Sequence, residues 1–432
     1  MLKLLKPWQR LMGAILLLLT HPTFASSLWV DAWSASPTDG AALYSLPPGS
    51  VFRETISPNL GGNTMRLHLS NRYGMSSIKL AKVSIGIKSV GASNQPNSTK
   101  LLKFNGSDAV IIPAGGEVIS DPISFTIKQF TPLNISFMAA SWIMSPTEHS
   151  LATEIPYFSM TANAESDSGV GFIPQKTFAG QMSWLLIERL EVSNTMAGYN
   201  VMAVGDSISD GASNMLCQLV INPDLNCLSI GQNARYTDFL ARRLANAGHT
   251  NIGVVNGAIS GNQIGQDAPW LSLQSGKSLL NRLDADVLKH NGVSKVILLE
   301  GINDLQIAST PNPNKVIQDL TTVINRLHAA NIKVILGTLT PTQGTPNVPL
   351  AILSLVLHYG SDAVNTARQQ VNAWIRSQSI ADGVVDFDYC LKNPQKPSQL
   401  LPAYDSGDHL HLSVLGRQAM AQCVNLNLLT AP

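Results

Sequence analysis

The 432-residue chain is 44% hydrophobic and only 13% charged, with 29 basic and 28 acidic residues. Its length exceeds one typical domain and accommodates two, and its apolar fraction is ordinary for a globular protein. The near-neutral balance leaves no basic footprint for nucleic acid or an anionic membrane.

Residues 1–25 read as an export signal rather than part of the fold. Lys3, Lys6 and Arg10 form a basic start, residues 11–19 are apolar, and Thr23-Phe24-Ala25 offers a cleavage site. The apolar run is about ten residues, short of the roughly 20 that a bilayer span needs. No comparable run follows, so the expected product is an exported chain, periplasmic or extracellular, without a transmembrane segment. No cysteine lies near the cleavage point to carry a lipid. Removing Lys3, Lys6 and Arg10 leaves 26 basic against 28 acidic residues, a net of −2.

From 29 to about 192 the texture is all-β. Met65, Leu67 and Leu69 alternate with Arg66, His68 and Ser70. Val83, Ile85 and Ile87 are interleaved with Lys82, Ser84 and Lys88, and Leu133, Ile135 and Phe137 repeat the pattern. Period-two runs separated by Gly, Pro and Asn clusters predict half-buried strands of a sandwich, with polar residues outward. No good helical stretch occurs in this half.

Near Tyr199 the pattern changes. Apolar runs at 200–204, 252–255, 296–299, 334–336 and 384–387 alternate with amphipathic helical segments. One segment carries Val316, Ile317, Leu320, Val323, Ile324 and Leu327; another carries Val364, Ala367, Val371 and Trp374. This alternation predicts a doubly wound α/β/α domain with a parallel sheet. Its ligand site is expected beyond the carboxyl ends of the strands. The expected organisation is a signal at 1–25, a β-sandwich at 26–195 and an α/β/α domain at 196–432.

The chemistry-bearing residues fall at those strand ends. The first run leads into Gly205-Asp206-Ser207-Ile208-Ser209, placing a serine at the mouth of the sheet on a tight turn. The second leads into Asn256-Gly257-Ala258-Ile259-Ser260-Gly261-Asn262, and the third into Glu300-Gly301-Ile302-Asn303-Asp304. Taken singly, each of these Gly- and Asn-rich stretches reads as a turn. Near the C-terminus, Asp405-Ser406-Gly407-Asp408-His409-Leu410-His411 precedes a helix starting near Ser413. The three-residue spacing lets Asp408 reach one imidazole nitrogen of His411 while the other points outward. A serine nucleophile, a histidine base and an orienting carboxylate are what serine hydrolysis requires. His409 is the rival base and Asp405 the rival acid.

The four segments together resemble the SGNH hydrolase superfamily of GDSL-type esterases and lipases, whose ordered blocks carry Ser, Gly, Asn and a terminal Asp-x-x-His. Here these are Ser207, Gly261, Asn303 and Asp408/His411. Similar text lies between them at Thr338-Leu339-Thr340-Pro341 and Asn372-Ala373-Trp374-Ile375-Arg376. In the N-terminal half, Val30-Asp31-Ala32-Trp33 and Leu69-Ser70-Asn71-Arg72-Tyr73-Gly74 look like members with a preceding β-sandwich. The resemblance implies a flavodoxin-like three-layer SGNH domain behind a jelly-roll-like sandwich. It implies a catalytic triad of Ser207, Asp408 and His411, and an oxyanion hole from the Ser207 and Gly261 N–H groups and the Asn303 amide. The segment 215–232 departs from the family by an insertion beside the nucleophile.

The implied activity is hydrolysis of a carboxylic ester; export, few charges and the appended β-sandwich point to a short acyl group, on a small-molecule or a carbohydrate (sugar-linked) ester as partner. The alternatives are a lipase or phospholipase, an acyltransferase on the same acyl-enzyme, and a non-catalytic glycan-binding protein on a hydrolase frame. The Gly-x-Ser-x-Gly pentapeptide of the α/β-hydrolases is missing from the sequence. No metal-ligand spacing, phosphate loop or dinucleotide fingerprint calls for a metal or cofactor. Cys217, Cys227, Cys390 and Cys423, an even count in an exported chain, read as two disulfides. Of three possible pairings, proximity favours Cys217–Cys227 and Cys390–Cys423.

Overall fold

A computed structural model of the chain describes residues 29–39, 45–175, 182–193, 198–215, 229–269, 275–307, 310–350 and 355–431. The expected signal at 1–25, the expected domain limits at 26 and 195–196, and the pair Cys217 and Cys227 lie outside the described residues.

Alternating apolar residues build the N-terminal part as two antiparallel sheets. One runs in the order Trp29–Ser34, Ile187–Ser193, Gly62–Ser70, Glu117–Ile119, with Ile123–Ile127 also paired to Gly62–Ser70. The other is centred on Val51–Ile56, Leu133–Ala139 and Ile78–Ile87. Met65, Leu67, Leu69, Leu190 and Val192 from the first sheet share one buried core with Phe52, Val83, Ile85, Ile135 and Phe137 from the second. This is a β-sandwich.

The polar positions of these strands do not all face solvent, as the period-two reading predicts they should. Ser84 is buried and donates to the carbonyl of Ala164 at 2.6 Å, because a loop covers that strand. His68 is buried against Glu191, which in turn accepts from Asn291 of the C-terminal part. The outer face of the first sheet is thus an internal, polar interface. There His290 Nδ1 lies 2.6 Å from Asp31 Oδ2, and Arg72 pairs with Asp286 at 2.5 Å. Buried ionic groups are retained only where such pairing offsets their desolvation.

The C-terminal part is a parallel sheet of β1 (Tyr199–Gly205), β2 (Ile252–Asn256), β3 (Val293–Leu299), β4 (Lys333–Gly337) and β5 (Gly383–Val385). Its order is β2-β1-β3-β4-β5, the flavodoxin-like doubly wound arrangement with a switch point between β1 and β3. The expected run at 384–387 is cut short: β5 ends at Val385, Asp386 caps a new helix and Phe387 begins it. The side-chain oxygen of Asp386 takes the Tyr389 N–H at 3.1 Å, which stops the strand by starting a helical turn.

Helices cover both faces. They are α1 (Ser207–Asp210), α2 (Tyr236–Asn246), α3 (Leu279–Leu283), α4 (Ile302–Ile307), α5 (Pro313–Ala329), α6 (Asp362–Ser377), α7 (Phe387–Leu391) and α8 (Val414–Cys423). Helix α2 packs on α8, and α8 on α7; on the other side α5 packs on α3 and α6. Helix α5 starts where Asn312 accepts from Lys315 N–H and Pro313 fills the first turn. Its residues Val316, Leu320, Val323, Ile324 and Leu327 are buried, each contributing about 1.5–3 kcal/mol of transfer free energy.

The free edge of β2 faces the sandwich. Asn59 closes it with its side-chain amide, accepting from Val254 N–H at 3.0 Å and donating to Val254 O. The amide thereby takes the place of a neighbouring strand's backbone and satisfies a buried edge. Ser34 donates to Asn256 O at 2.9 Å, and Asn200 to Asp31 O at 3.0 Å. The two parts are joined beside the strand that leads to the site. Cys390 and Cys423 form a disulfide, with Cα atoms 6.3 Å apart, joining α7 to the end of α8. Among the described residues, no helix is long and apolar enough to cross a membrane.

Candidate active site

Ser207 opens α1 immediately after β1. Gly205 makes that junction possible, since a Cβ there would collide with the carbonyl oxygen of Leu299 on the adjacent β3. Asp206 caps the helix by accepting from Ile208 N–H at 3.0 Å. Full burial, opposed by that bond and the nearby His411 and reinforced by Asp304 and Asp210, pushes the Asp206 carboxyl up to about 7.

His411 reaches Ser207 from the opposite end of the chain. Its Nε2 lies 2.9 Å from Ser207 Oγ, and its Nδ1 lies 2.7 Å from Asp408 Oδ2. Since a carboxylate only accepts, Nδ1 donates to Asp408 and Nε2 is left to accept the serine proton. Asp408 also accepts from the backbone N–H groups of Met215 (2.8 Å), His411 (2.8 Å) and Leu410 (3.0 Å). Burial raises this carboxyl. The bond and charge of His411 and the two backbone donors Met215 and His411 outweigh it, holding Asp408 well below the usual carboxylate range.

The C-terminal helix fixes this geometry. Ser413 caps α8 by accepting from Gly416 N–H at 3.1 Å. Arg417 then reaches across to Ala212 O (3.0 Å) and Ser213 Oγ (2.9 Å), just beyond α1. The rival pair is placed elsewhere. His409 Nδ1 lies 2.5 Å from Asp405 Oδ2, and the His409 side chain is 53% exposed. His411, at 8%, is the one on Ser207.

The loop after β2 runs alongside. Gly257 N–H bonds Ala203 O (2.8 Å) and Ile259 N–H bonds Gly205 O (3.0 Å), holding the loop against the end of β1. Gly261 has φ +79° in a turn closed by Asn262 N–H to Ile259 O at 3.1 Å. A side chain there would be strained and would meet Ser275 Oγ. Asn303, buried at the start of α4, donates from Nδ2 to Asn262 O at 2.8 Å. One of its two amide hydrogens is thus spent on the loop that carries Gly261. Its Oδ1 accepts from Tyr359 OH at 2.6 Å.

Sequence reasoning missed Tyr359, and also Arg282, which holds Asn262 Oδ1 (2.9 Å) and Gly257 O (2.6 Å) from α3. Neither sits in a readable motif, and both act through the fold. Among the described residues no group of acidic, His or Cys side chains is arranged to hold a metal ion.

The family model for GDSL-like lipases and acylhydrolases matches residues 203–419, just over half of the chain. The chain belongs to that family. It is an acylhydrolase, and its fold is the three-layer α/β/α arrangement of the family preceded by a β-sandwich. The acylhydrolase is similar to several solved structures. An acetyl xylan esterase is 21% identical, covering 52% of this chain and 96% of its own, with a TM-score of 0.34. A carbohydrate acetylesterase from Sinorhizobium meliloti is 14% identical over 52% of this chain and 94% of its own, TM-score 0.38. An inhibitor-bound aryl esterase from M. smegmatis is 15% identical over 52% and 95%, TM-score 0.39. No curated protein sequence matches the acylhydrolase.

Proposed function

We propose that the acylhydrolase is an exported serine esterase in which Ser207, His411 and Asp408 form the catalytic triad. The observation that carries this reading is the unbroken hydrogen-bonded run Asp408–His411–Ser207, at 2.7 and 2.9 Å. His411 takes the Ser207 proton as Oγ attacks the ester carbonyl. The tetrahedral intermediate collapses as His411 returns the proton to the leaving alcohol, giving an acyl-enzyme. Water, deprotonated by the same His411, releases the acid and restores Ser207. Asp408 keeps the ring in the required tautomer and stabilises the imidazolium.

The Ser207 and Gly261 N–H groups and the remaining Asn303 Nδ2 hydrogen form the oxyanion hole. They are held before the reaction by the turn at Gly261 and by Tyr359, so no reorganisation is needed as charge develops. The substrate class we propose is a short-acyl ester of a small molecule or carbohydrate. An exported chain of low charge carrying a β-sandwich supports this choice.

Turnover of p-nitrophenyl acetate, butyrate and octanoate by wild type and Ser207→Ala tests the reading. Highest kcat/KM on acetate, abolished in Ser207→Ala, is the expected result. Activity that survives in Ser207→Ala contradicts the serine mechanism, and a preference for octanoate contradicts the short-acyl pocket.

A further inference from the structure

The sandwich does more than abut the hydrolase part. It places one imidazole directly behind the nucleophile helix. His149 lies on the short strand Glu148–His149, which pairs with Trp184–Leu185. Its ring is buried and packs on Trp184, with centroids 5.7 Å apart. Trp184 in turn makes an edge contact with Trp33 at 5.0 Å and donates its indole N–H to Thr55 O at 2.8 Å. The imidazole is therefore held by the sandwich core.

From that position, His149 Nδ1 lies 2.8 Å from Ser36 O and Nε2 lies 3.0 Å from Asp210 Oδ1. The ring thus bridges a backbone carbonyl of the sandwich and the carboxyl of Asp210. Asp210 is the last residue of α1, three residues after Ser207, and is fully buried. Its second oxygen, Oδ2, accepts the backbone N–H of Ser260 at 3.0 Å. Ser260 immediately precedes Gly261, so the carboxylate joins the nucleophile helix to the turn that presents the Gly261 N–H. Without a donor on Oδ1, Asp210 would hold a buried charge with a single partner and would be free to turn away from Ser260.

The other end of the same loop is gripped similarly. Arg282 holds Gly257 O and Asn262 Oδ1, and is itself paired with Asp286 at 3.2 Å and bonded to Ser36 Oγ at 3.3 Å. Ser36 of the sandwich touches both grips, through its carbonyl to His149 and its hydroxyl to Arg282.

We propose that His149 is a positioning residue for catalysis, supplied by the β-sandwich, which acts through Asp210 to set the oxyanion-hole turn at Ser260–Gly261. The proposal rests on the serine-esterase reading above. It assigns the sandwich a part in transition-state stabilisation, separate from any role in binding glycans. A misplaced donor affects the charged intermediate more than the bound ester, so the effect belongs in kcat.

The test is steady-state hydrolysis of p-nitrophenyl acetate by the full chain. Wild type is compared with Ser207→Ala, His149→Phe, His149→Gln, Asp210→Asn and the double variant His149→Phe/Asp210→Asn, with Tm recorded for each. His149→Phe is expected to lower kcat roughly 10- to 100-fold with KM changed less than about 3-fold, the scale of a displaced oxyanion donor. His149→Gln, whose amide can still donate to Asp210, is expected to recover part of that loss. The double variant should be no slower than Asp210→Asn alone, because both changes break one chain of contacts. Unchanged kcat in His149→Phe, a loss confined to KM, or losses that multiply in the double variant would overturn the proposal while leaving the esterase reading intact. If His149→Phe does not fold, wild-type kcat in both His149→Gln and Asp210→Asn overturns it equally. A wild-type chain that turns over no ester, or is equally active as Ser207→Ala, removes the esterase reading and the proposal with it.

Discussion

Tyr359 donates its phenolic hydrogen to Asn303 Oδ1 across 2.6 Å, and so dictates which way the Asn303 amide faces. With Oδ1 committed to Tyr359, Nδ2 must lie on the side of the Gly261 loop, where it bonds Asn262 O. Burial holds the phenol protonated, pushing its pKa above the ordinary value, with the neighbouring Asp206 and Asp408 charges adding to the effect. The hydroxyl is therefore a permanent donor.

Asn303→Ala is expected to lower kcat by about 10²–10³, the usual loss for one oxyanion donor. Tyr359→Phe keeps the amide but frees it to flip, and is expected to lose less, about 5- to 20-fold, the worth of one buried hydrogen bond. Steady-state kinetics on p-nitrophenyl acetate separates the two. A Tyr359→Phe enzyme as slow as Asn303→Ala would show that Tyr359 does more than orient the amide.

Asp408→Asn replaces the acceptor for His411 Nδ1 with an amide and disfavours the required tautomer. A kcat loss of about 10⁴ is expected. The same carboxyl lies below its unfolded value because hydrogen bonds and the His411 charge outweigh burial. A depressed carboxyl stabilises the fold above the unfolded pKa and loses that contribution as pH falls below about 4. The Tm difference between wild type and Asp408→Asn should therefore shrink between pH 6 and pH 3. A constant difference would contradict the assigned direction.

Asp206 shifts the other way, to about 7, chiefly through burial. Its folded form holds a proton that the unfolded chain has released, so its contribution to stability falls as pH rises from about 4 through 7. Asp206→Asn keeps the oxygen that caps Ile208 and cannot ionise. The variant should gain in Tm relative to wild type between pH 5 and pH 8, as read by thermal melts. A relative loss over that range would show that the Asp206 carboxyl is not raised in the fold.

The Cys390–Cys423 disulfide closes a loop over a sequence separation of 33 residues. The chain-entropy relation gives about 3–4 kcal/mol for a loop of that size. Cys390→Ser/Cys423→Ser should lower the denaturant midpoint accordingly without changing KM, since the disulfide ties α7 to the end of α8 and neither cysteine bonds to Ser207, His411 or Asp408. A change in KM with unaltered stability would contradict this placement.

Much of this architecture is local in origin and hence legible in the chain. The stripe Val316, Leu320, Val323, Ile324, Leu327 faces one way only on a helix, and α5 forms there. The runs before Ser207, Gly261 and Asn303 are mainly apolar, as strands covered on both faces are, and each of those residues stands beyond a strand of the parallel sheet. Where contacts come from distant segments, the sequence is silent. The alternation around His68 and Ser84 predicts solvent-facing positions, but the hydrolase part and a returning loop cover them. The run ending at Phe387 looks like one strand, yet a single capping bond from Asp386 turns it into a helix. Tyr359, Arg282 and His149 act on Asn303, Asn262 and Asp210 respectively from 56, 20 and 61 residues away. Nothing in their neighbours along the chain marks them.

In the proposed mechanism Ser207 Oγ carries the acyl group. Acid-quenching the enzyme during turnover of p-nitrophenyl butyrate, digesting it and weighing its peptides tests this directly. One butyryl group is expected on the peptide containing Ser207, absent in Ser207→Ala and accumulating in proportion to the p-nitrophenol burst. A butyryl group on any other residue, or turnover with direct attack by water and no acylated peptide at any quench time, would contradict it.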